Sequence, residues 1–340
     1  MTKATLQILR PRGMTPAMAF FFAFAFAVVA YAPEASGKDT GAVFISSEKD
    51  NQITVLDSKT QQQIALIKAC KRPRHMRLTP NRLQLIALCG DDGTAIVVDV
   101  ATRKVVDKIR LQEGAEIFDL SPDGKTLYFS NEDEASIVAV DLATRKVINQ
   151  IKVGEEPEGI LVTPDGKTLY ATSEVANLVH VIDLASRKII RNIQVDKRPR
   201  RFALAPDGKE LWVTSELGAS VSIIQTASHS IAATLRFQPK GFRADDVTPV
   251  GIVMSADGKT AFVALGKANH VAVVDVASRA VRNLILVGKR AWGLGLSRDN
   301  STLYVANGLS DDVSIVDVTA GRAVKTVKAG RVPHSVVIDD

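Results

Sequence analysis

Leu127–Thr168 reads LYFSNEDEASIVAVDLATRKVINQIKVGEEPEGILVTPDGKT, and Leu169–Glu210 reads LYATSEVANLVHVIDLASRKIIRNIQVDKRPRRFALAPDGKE. The two align without a gap, 42 residues apart. Self-similarity at a period of roughly 40–45 residues, with several short strands per unit, marks a β-propeller blade.

Two columns carry this register through the chain. One is the acidic residue that closes the third strand of each unit: Asp57, Asp99, Asp141, Asp183, then Gln225, then Asp275 and Asp317. The intervals are 42 residues except for 50 between Gln225 and Asp275. The other is the turn Pro122-Asp123-Gly124, repeated at Pro164-Asp165-Gly166, Pro206-Asp207-Gly208 and Ala256-Asp257-Gly258. Glycine there accepts the positive φ of a tight turn between strands one and two. The Asp column marks the corner between strands three and four, where its carboxylate can accept from backbone two residues on. Both columns recur wherever the chain turns, so turning accounts for them. A third column, Phe44, Ile86, Tyr128, Tyr170, Trp212, Phe262 and Tyr304, is expected to fill the space between blades.

Strand counting closes the ring. From Gly41 the chain supplies strands two, three and four of a unit, and it ends with a lone first strand, Pro333 to Asp339. The last strand therefore completes the blade that the first residues begin. The expectation is an all-β, seven-bladed propeller of four-stranded antiparallel blades over residues 36–340, with no free sheet edge at the seam.

Residues 1–35 read as a secretory signal peptide. Lys3, Arg10 and Arg12 precede an apolar run from Ala17 to Ala32, then small residues, with cleavage after Ala32 or Ala35. This predicts a periplasmic protein with no stable membrane insertion after cleavage. Its removal leaves 40 basic against 36 acidic residues, a net charge of +4. That mild excess, with few aromatics, argues against a nucleic-acid partner. Cys70 and Cys89 fit neither a haem nor a zinc spacing. A disulfide between them is allowed in an oxidising compartment, but the sequence does not give their separation.

Candidate binding residues are those that break the repeat. The position after the recurrent Pro, at the mouth of strand one, reads Arg74, Glu116, Glu158, Arg200, Val250, Trp292 and His334. The next column adds His75 and Arg201, with Gly159, Gly251 and Gly293 elsewhere, where glycine permits close packing at the axis. Glu48, Glu132, Glu174 and Glu216 end strand two on the same face. An extra loop, Phe237–Asp246, offers Lys240, Phe242 and Arg243. One mouth should thus combine Arg, Glu, His and Trp, a binding site or else a solvated rim of weak ion pairs. Alternation along a strand places His75 and His334 on opposite sides, so no histidine-held metal is expected. Calcium on the Glu positions is a further option. No G-x-S-x-G or paired cysteine nucleophile is present, so no catalytic residue is assigned.

The repeats LYFSN…IVAVDLATRKV and LYVANG…VSIVDV resemble the YVTN-type β-propeller repeat. More narrowly, the chain resembles the PQQ-dependent catabolism-associated β-propeller family. That likeness rests on RPRHMRLTPN (72–81), SPDGKTLYFSNED (121–133), EPEGILVTPDGKT (156–168), RPRRFALAPDGKELWVTSELG (198–218), TPVGIVMSADGKTAFVALGKANHVAVVD (248–275) and SDDVSIVDV (310–318). The resemblance implies an accessory protein of quinoprotein alcohol oxidation, with a periplasmic quinoprotein dehydrogenase or cytochrome as partner. His334 departs from it, since the family tends to carry Trp there. PQQ enzymes themselves are eight-bladed with tryptophan docking motifs; this chain has only Trp212 and Trp292, so no cofactor is expected. A lactonase-like hydrolase is the alternative function, by fold analogy. A surface-layer or adhesion module would call for tandem domains or an anchor.

Overall fold

The computed structural model describes residues 39–340 together with Met1; the signal-peptide reading falls outside the described residues. Seven four-stranded antiparallel sheets follow one another. Pro333–Asp339 is the inner strand of the first blade, followed outward by Ala42–Ser47, Gln52–Asp57 and Gln63–Lys68. The fourth blade runs Pro157–Val162, Thr168–Ser173, Leu178–Asp183 and Lys188–Gln194. The inner strands of successive blades touch in chain order, and that of the seventh, Ala291–Leu296, meets Pro333–Asp339. Among the described residues, helix is confined to one 3-10 turn, Ala244–Asp246.

Why these segments are strands follows from their side chains. The second and third strands of each blade are rich in Val, Ile, Leu and aromatic residues and are buried on both faces. The outer strands are mostly exposed and carry charge, as in KVVDKIR (104–110) and RAVKTVK (322–328). Lysine and arginine on these edges discourage pairing with other chains. The bulky column packs as expected: Phe44, Ile86, Tyr170, Trp212, Phe262 and Tyr304 are at most 2% exposed, and Tyr128 is half-buried.

The turns follow their residues, with one correction. Gly124, Gly166, Gly208 and Gly258 all have φ between 68° and 72°. The corner aspartates accept chiefly from the backbone N–H three residues on, where Thr60, Thr102, Thr144, Ser186, Ser278 and Ala320 donate at 2.6–2.8 Å, and Asp57 also accepts from Lys59 N–H, two on, at 3.1 Å. Gln225 makes no such cap; its amide donates to Glu210 Oε1 at 3.0 Å.

The seam is locked by Asp339, which is fully buried. Its Oδ2 accepts from the N–H and hydroxyl of Thr40 at 2.9 and 2.7 Å, and its Oδ1 from Arg82 Nε and Nη2 at 3.1 and 2.8 Å. Cys70 and Cys89 form a disulfide with their Cα atoms 5.6 Å apart, tying the entry of the second blade to the end of its second strand. At the axis, a Cβ on Gly159, Gly251 or Gly293 would lie 2.0–2.1 Å from the carbonyl oxygen of Arg200, Trp292 or His334 in the next blade. No side chain fits there.

Two stability predictions result. Asp339→Ala should cost about 2–3 kcal/mol, the scale of hydrogen bonds to a buried charge, read by urea denaturation. Gly251→Ala should cost about 1–3 kcal/mol or more by overpacking, read as a lower melting temperature.

Candidate functional site

Each inner strand enters the sheet at the mouth and is bulged there. In six blades the inner strand sets two residues against one of its neighbour: 74–75, 116–117, 158–159, 200–201, 292–293 and 334–335. A bulge re-aims side chains and breaks alternation. A hydroxyl on the second strand stabilises it. Ser130 Oγ accepts from Ile117 N–H at 3.1 Å and donates to Glu158 O, one blade on, at 2.9 Å. Thr214 Oγ1 accepts from Arg201 N–H at 3.0 Å and donates to Val250 O at 2.8 Å. Ser46 Oγ accepts from Ser335 N–H at 3.0 Å and donates to Arg74 O at 2.8 Å across the seam. The mouth residues are therefore held by neighbouring blades as well as their own.

The mouth contains two arginine-centred networks. Arg74 is buried; its Nε lies 3.0 Å from Glu48 Oε1, and it also pairs with Glu116. Arg72 reaches the same Glu116 at 3.1 Å. Arg200 is buried among Glu158 at 3.2 Å, Glu216 at 3.6 Å and Glu174. Arg198 Nε contacts Glu174 at 2.6 Å and Glu216 at 3.3 Å, and Arg201 contacts Glu158 at 2.5 Å. Trp292 lies under two guanidiniums, Arg290 at 4.3 Å and Arg200 at 5.3 Å from its ring centroid. These burials replace the expectation of a solvated rim.

Burial and charge compete at each site. Burial pushes the Glu158 carboxyl up, but Arg200, Arg201 and Arg74 overcome it and hold the group well below the usual carboxylate range. Burial also dominates at Glu174, pushing it up to about 7 against the pull of Arg200 and Arg198. Glu132 is raised by burial and then by Glu158. Glu116, Glu132 and Glu158 bring carboxylate oxygens within 4.8 Å of one another, an arrangement with the oxygen chemistry calcium prefers. Glu116 and Glu158 are, however, already neutralised by arginines. The trio therefore reads as the interior of the ion-pair network.

Deeper in the channel, His75, Arg201, Trp292 and His334 line one cavity of about 260 Å³. Strict alternation had separated His75 from His334; the bulges bring both to the same space. Both histidines are kept neutral. Burial, then Arg201 and Arg77, lower His75 to about 3, and burial, then Arg74 and Arg201, lower His334. Below them Arg77 pairs with the fully buried Asp119 at 2.9 Å, and Asp119 also accepts from Val162 N–H at 2.9 Å.

The insertion loop begins on the mouth face but turns inward. Phe237 is buried, Phe242 packs edge-on against His270 at 5.7 Å, and Arg243 pairs with Asp246 at 3.0 Å. Lys240 is exposed. The loop therefore mainly covers the fifth and sixth blades, and the structure does not bring Phe242 and Arg243 to the channel lining.

Several residues of the site escaped the sequence reading. Arg72, Arg198 and Arg290 precede the mouth column, with φ of 52°, 58° and 59°. The repeated Arg-Pro-Arg at 72–74 and 198–200 was the available signal. Asp119 lies in the first strand of the third blade, three residues beyond Glu116. Ser173 Oγ, His180 and Asn192 Oδ1 form a hydrogen-bonded chain of 2.8 and 2.7 Å, superficially a nucleophile, base and orienter. Ser173 and His180 are both buried, and the His180 ring also accepts from Gly154 N–H at 3.1 Å. That chain satisfies a blade interior and has no access to substrate.

Comparison with known proteins agrees with this architecture. Residues 81–205 match the YNCE-like beta-propeller family, and residues 187–339 match the family described as lactonase, 7-bladed beta-propeller. No curated protein sequence matches the chain. Among solved structures the chain is similar to Kuenenia stuttgartiensis hydrazine synthase, with TM-score 0.73, 22% identity, and 82% of this chain and 93% of that one covered. It is also similar to a functionally unknown protein from Desulfotomaculum acetoxidans DSM 771 (TM-score 0.76, 16% identity, 88% and 99% covered). A third is dihydro-heme d1 dehydrogenase NirN in complex with DHE (TM-score 0.69, 14% identity, 92% and 78% covered). At these identities the likeness is one of fold. The chain is a seven-bladed β-propeller with likeness to YNCE-like and lactonase-type propellers.

The histidines give a pH prediction. Folded His75 takes up a proton only near pH 3, whereas an unfolded histidine does so near 6.5. Between these values the unfolded chain binds more protons, so stability rises with pH across the window and is lost on acidification. The charged groups acting on His75 are Arg201, Arg77, Arg74 and Glu158. The unfolding free energy of the native protein, from urea denaturation, should fall by on the order of 1 kcal/mol per pH unit as the pH drops from 6.5 to 4. His75→Gln should flatten that slope.

Proposed function

We propose that this chain is an exported, non-catalytic propeller serving PQQ-dependent alcohol catabolism. In this reading it is an accessory or scaffold whose charged mouth engages a periplasmic quinoprotein dehydrogenase or cytochrome, or a small ligand. The observation that carries the binding role is the contrast between frame and mouth. Turn, corner and core columns repeat from blade to blade, while the mouth column changes and buries Arg74, Arg200, Glu116 and Glu158. Burying charges costs several kcal/mol per ion before pairing offsets it, and turning the chain does not require it. Exposed apolar residues beside the mouth support a macromolecular partner. Val175, Leu217 and Leu309 follow the strand-two ends and are 54%, 57% and 63% exposed. Val175 and Leu217 share a hollow of about 280 Å³ with Glu174 and Arg198. Apolar anchors ringed by charge are the usual composition of a recognition patch. Export rests on the signal-peptide reading of residues 1–35, and the alcohol-linked setting on the family resemblance of the blade segments.

A lactonase-like hydrolase is the second reading, favoured by the match of residues 187–339 to the lactonase family. Its weakness is chemical. A general base works best with a pKa near the operating pH; Glu158 lies far below it, bound to two arginines, and Glu174, raised to about 7, is itself tied to Arg198 and Arg200.

The test is capture by the immobilised mature protein from periplasm of alcohol-grown cells. It should retain a quinoprotein dehydrogenase or cytochrome, and the exposed-rim variant Val175→Asp/Leu217→Asp should lose about tenfold of that retention. Retention of neither class of protein would refute the scaffold role. Turnover of a lactone panel, abolished by Glu158→Gln, would instead establish the hydrolase.

A further inference from the structure

The cavity behind the mouth differs from the mouth in one chemical respect. The mouth balances acids against arginines, but no Asp or Glu among the described residues lines the cavity. Its polar lining consists mainly of donors. Arg201 Nη2, Trp292 Nε1, His75 Nδ1 and both ring nitrogens of His334 are buried and have no hydrogen-bond partner among the described residues. Trp292 and His334 are 8% and 6% exposed, beyond nine-tenths buried. The arginine and indole groups can only donate, and each neutral imidazole carries one donor nitrogen. Leaving several buried donors unpaired costs about 1–3 kcal/mol each, so a protein that keeps them together has a reason to do so. Phe202, Ile252 and Leu294 add apolar lining.

We propose that this cavity binds a small organic carboxylate. The carboxylate accepts from Arg201, Trp292 and the two histidines, and a short aliphatic body lies against Phe202, Ile252 and Leu294. The inference deepens the proposed function, resting on the reading of this channel as the working end of the molecule. Size limits the ligand: about 260 Å³ is below the range of drug-sized pockets, roughly 300–1,000 Å³, and excludes a nucleotide or peptide. Sign limits it too. Burial first, and then the arginines, keep His75 and His334 neutral, and Arg201, paired with Glu158 through Nη1, leaves Nη2 as a charged donor for an anion. Trp292 and His334 also line a smaller hollow of about 70 Å³ with Glu48 and Arg74, so they stand between the outer network and the cavity.

Isothermal titration calorimetry of the mature protein with acetate, butyrate and hexanoate, the matching alcohols, and sulfate tests this directly. Saturable binding of at least one carboxylate is expected, with the alcohol of equal length binding at least tenfold more weakly. Trp292→Phe keeps the ring and removes the donor, and should weaken the carboxylate about tenfold without lowering the melting temperature. Arg201→Gln should weaken it by at least as much. No saturable carboxylate binding below about 10 mM would overturn the proposal. So would equal affinity for the alcohol, or unchanged affinity in Trp292→Phe. Sulfate binding alone would mean a simple inorganic-anion site and would also overturn it. Partner capture by the same protein reads the scaffold role separately, so loss of carboxylate binding with capture intact rejects this inference and leaves that role standing.

Discussion

The structure depends on closure of the ring. Ala42–Ser47 pairs with Pro333–Asp339, the two ends of the propeller sharing one sheet. A propeller that failed to close would expose an unpaired inner edge to water and to other chains. Closure also sets the spacing at the axis, where inner strands approach so closely that Gly159, Gly251 and Gly293 admit no Cβ. This tightness converts seven separate mouth residues into one site. Arg200 in the fifth blade reaches Glu158 and Glu174 in the fourth because the strands have no room to stand apart.

The ion pairs at the mouth are not a simple source of stability. Two buried charges recover their desolvation penalty only when geometry is good and remaining polar atoms are satisfied. Here Arg74 and Arg200 each contact more than one carboxylate, while Glu132 stands without a cationic contact within ion-pair distance. Such an arrangement fixes side chains in place. It presents a rigid, mixed-charge opening flanked by Val175, Leu217 and Leu309, and it holds Glu116 and Glu158 against arginines.

The channel thus has two zones. The outer is charge-balanced and bordered by apolar tips; the inner is rich in donors, with neutral histidines and apolar lining. Trp292 belongs to both, stacked under Arg290 and Arg200 and adjoining His334 at 6.1 Å. A contact made on the outer zone bears on the same indole that lines the inner one, which gives a physical route for occupancy of one to be felt by the other.

Much of this was legible before any coordinates. The blade number, the closing strand, the turn glycines, the corner aspartates and the axial glycines are periodic or local features, and a linear sequence records period and local stereochemistry directly. The mouth column was legible for the same reason, as a break in that period. What the three-dimensional structure alone decided was direction and proximity. The bulges at 74–75 and 334–335 turn His75 and His334 toward one cavity, although two-residue alternation separates them, because an extra residue shared by six of the seven blades leaves no trace in their spacing. Cys70 and Cys89 meet because the fold places a loop beside a strand end. Asp119 finds Arg77 in the neighbouring blade, and the unpartnered donors share one chamber, through contacts between residues distant in the chain. Those contacts exist only once the ring has closed.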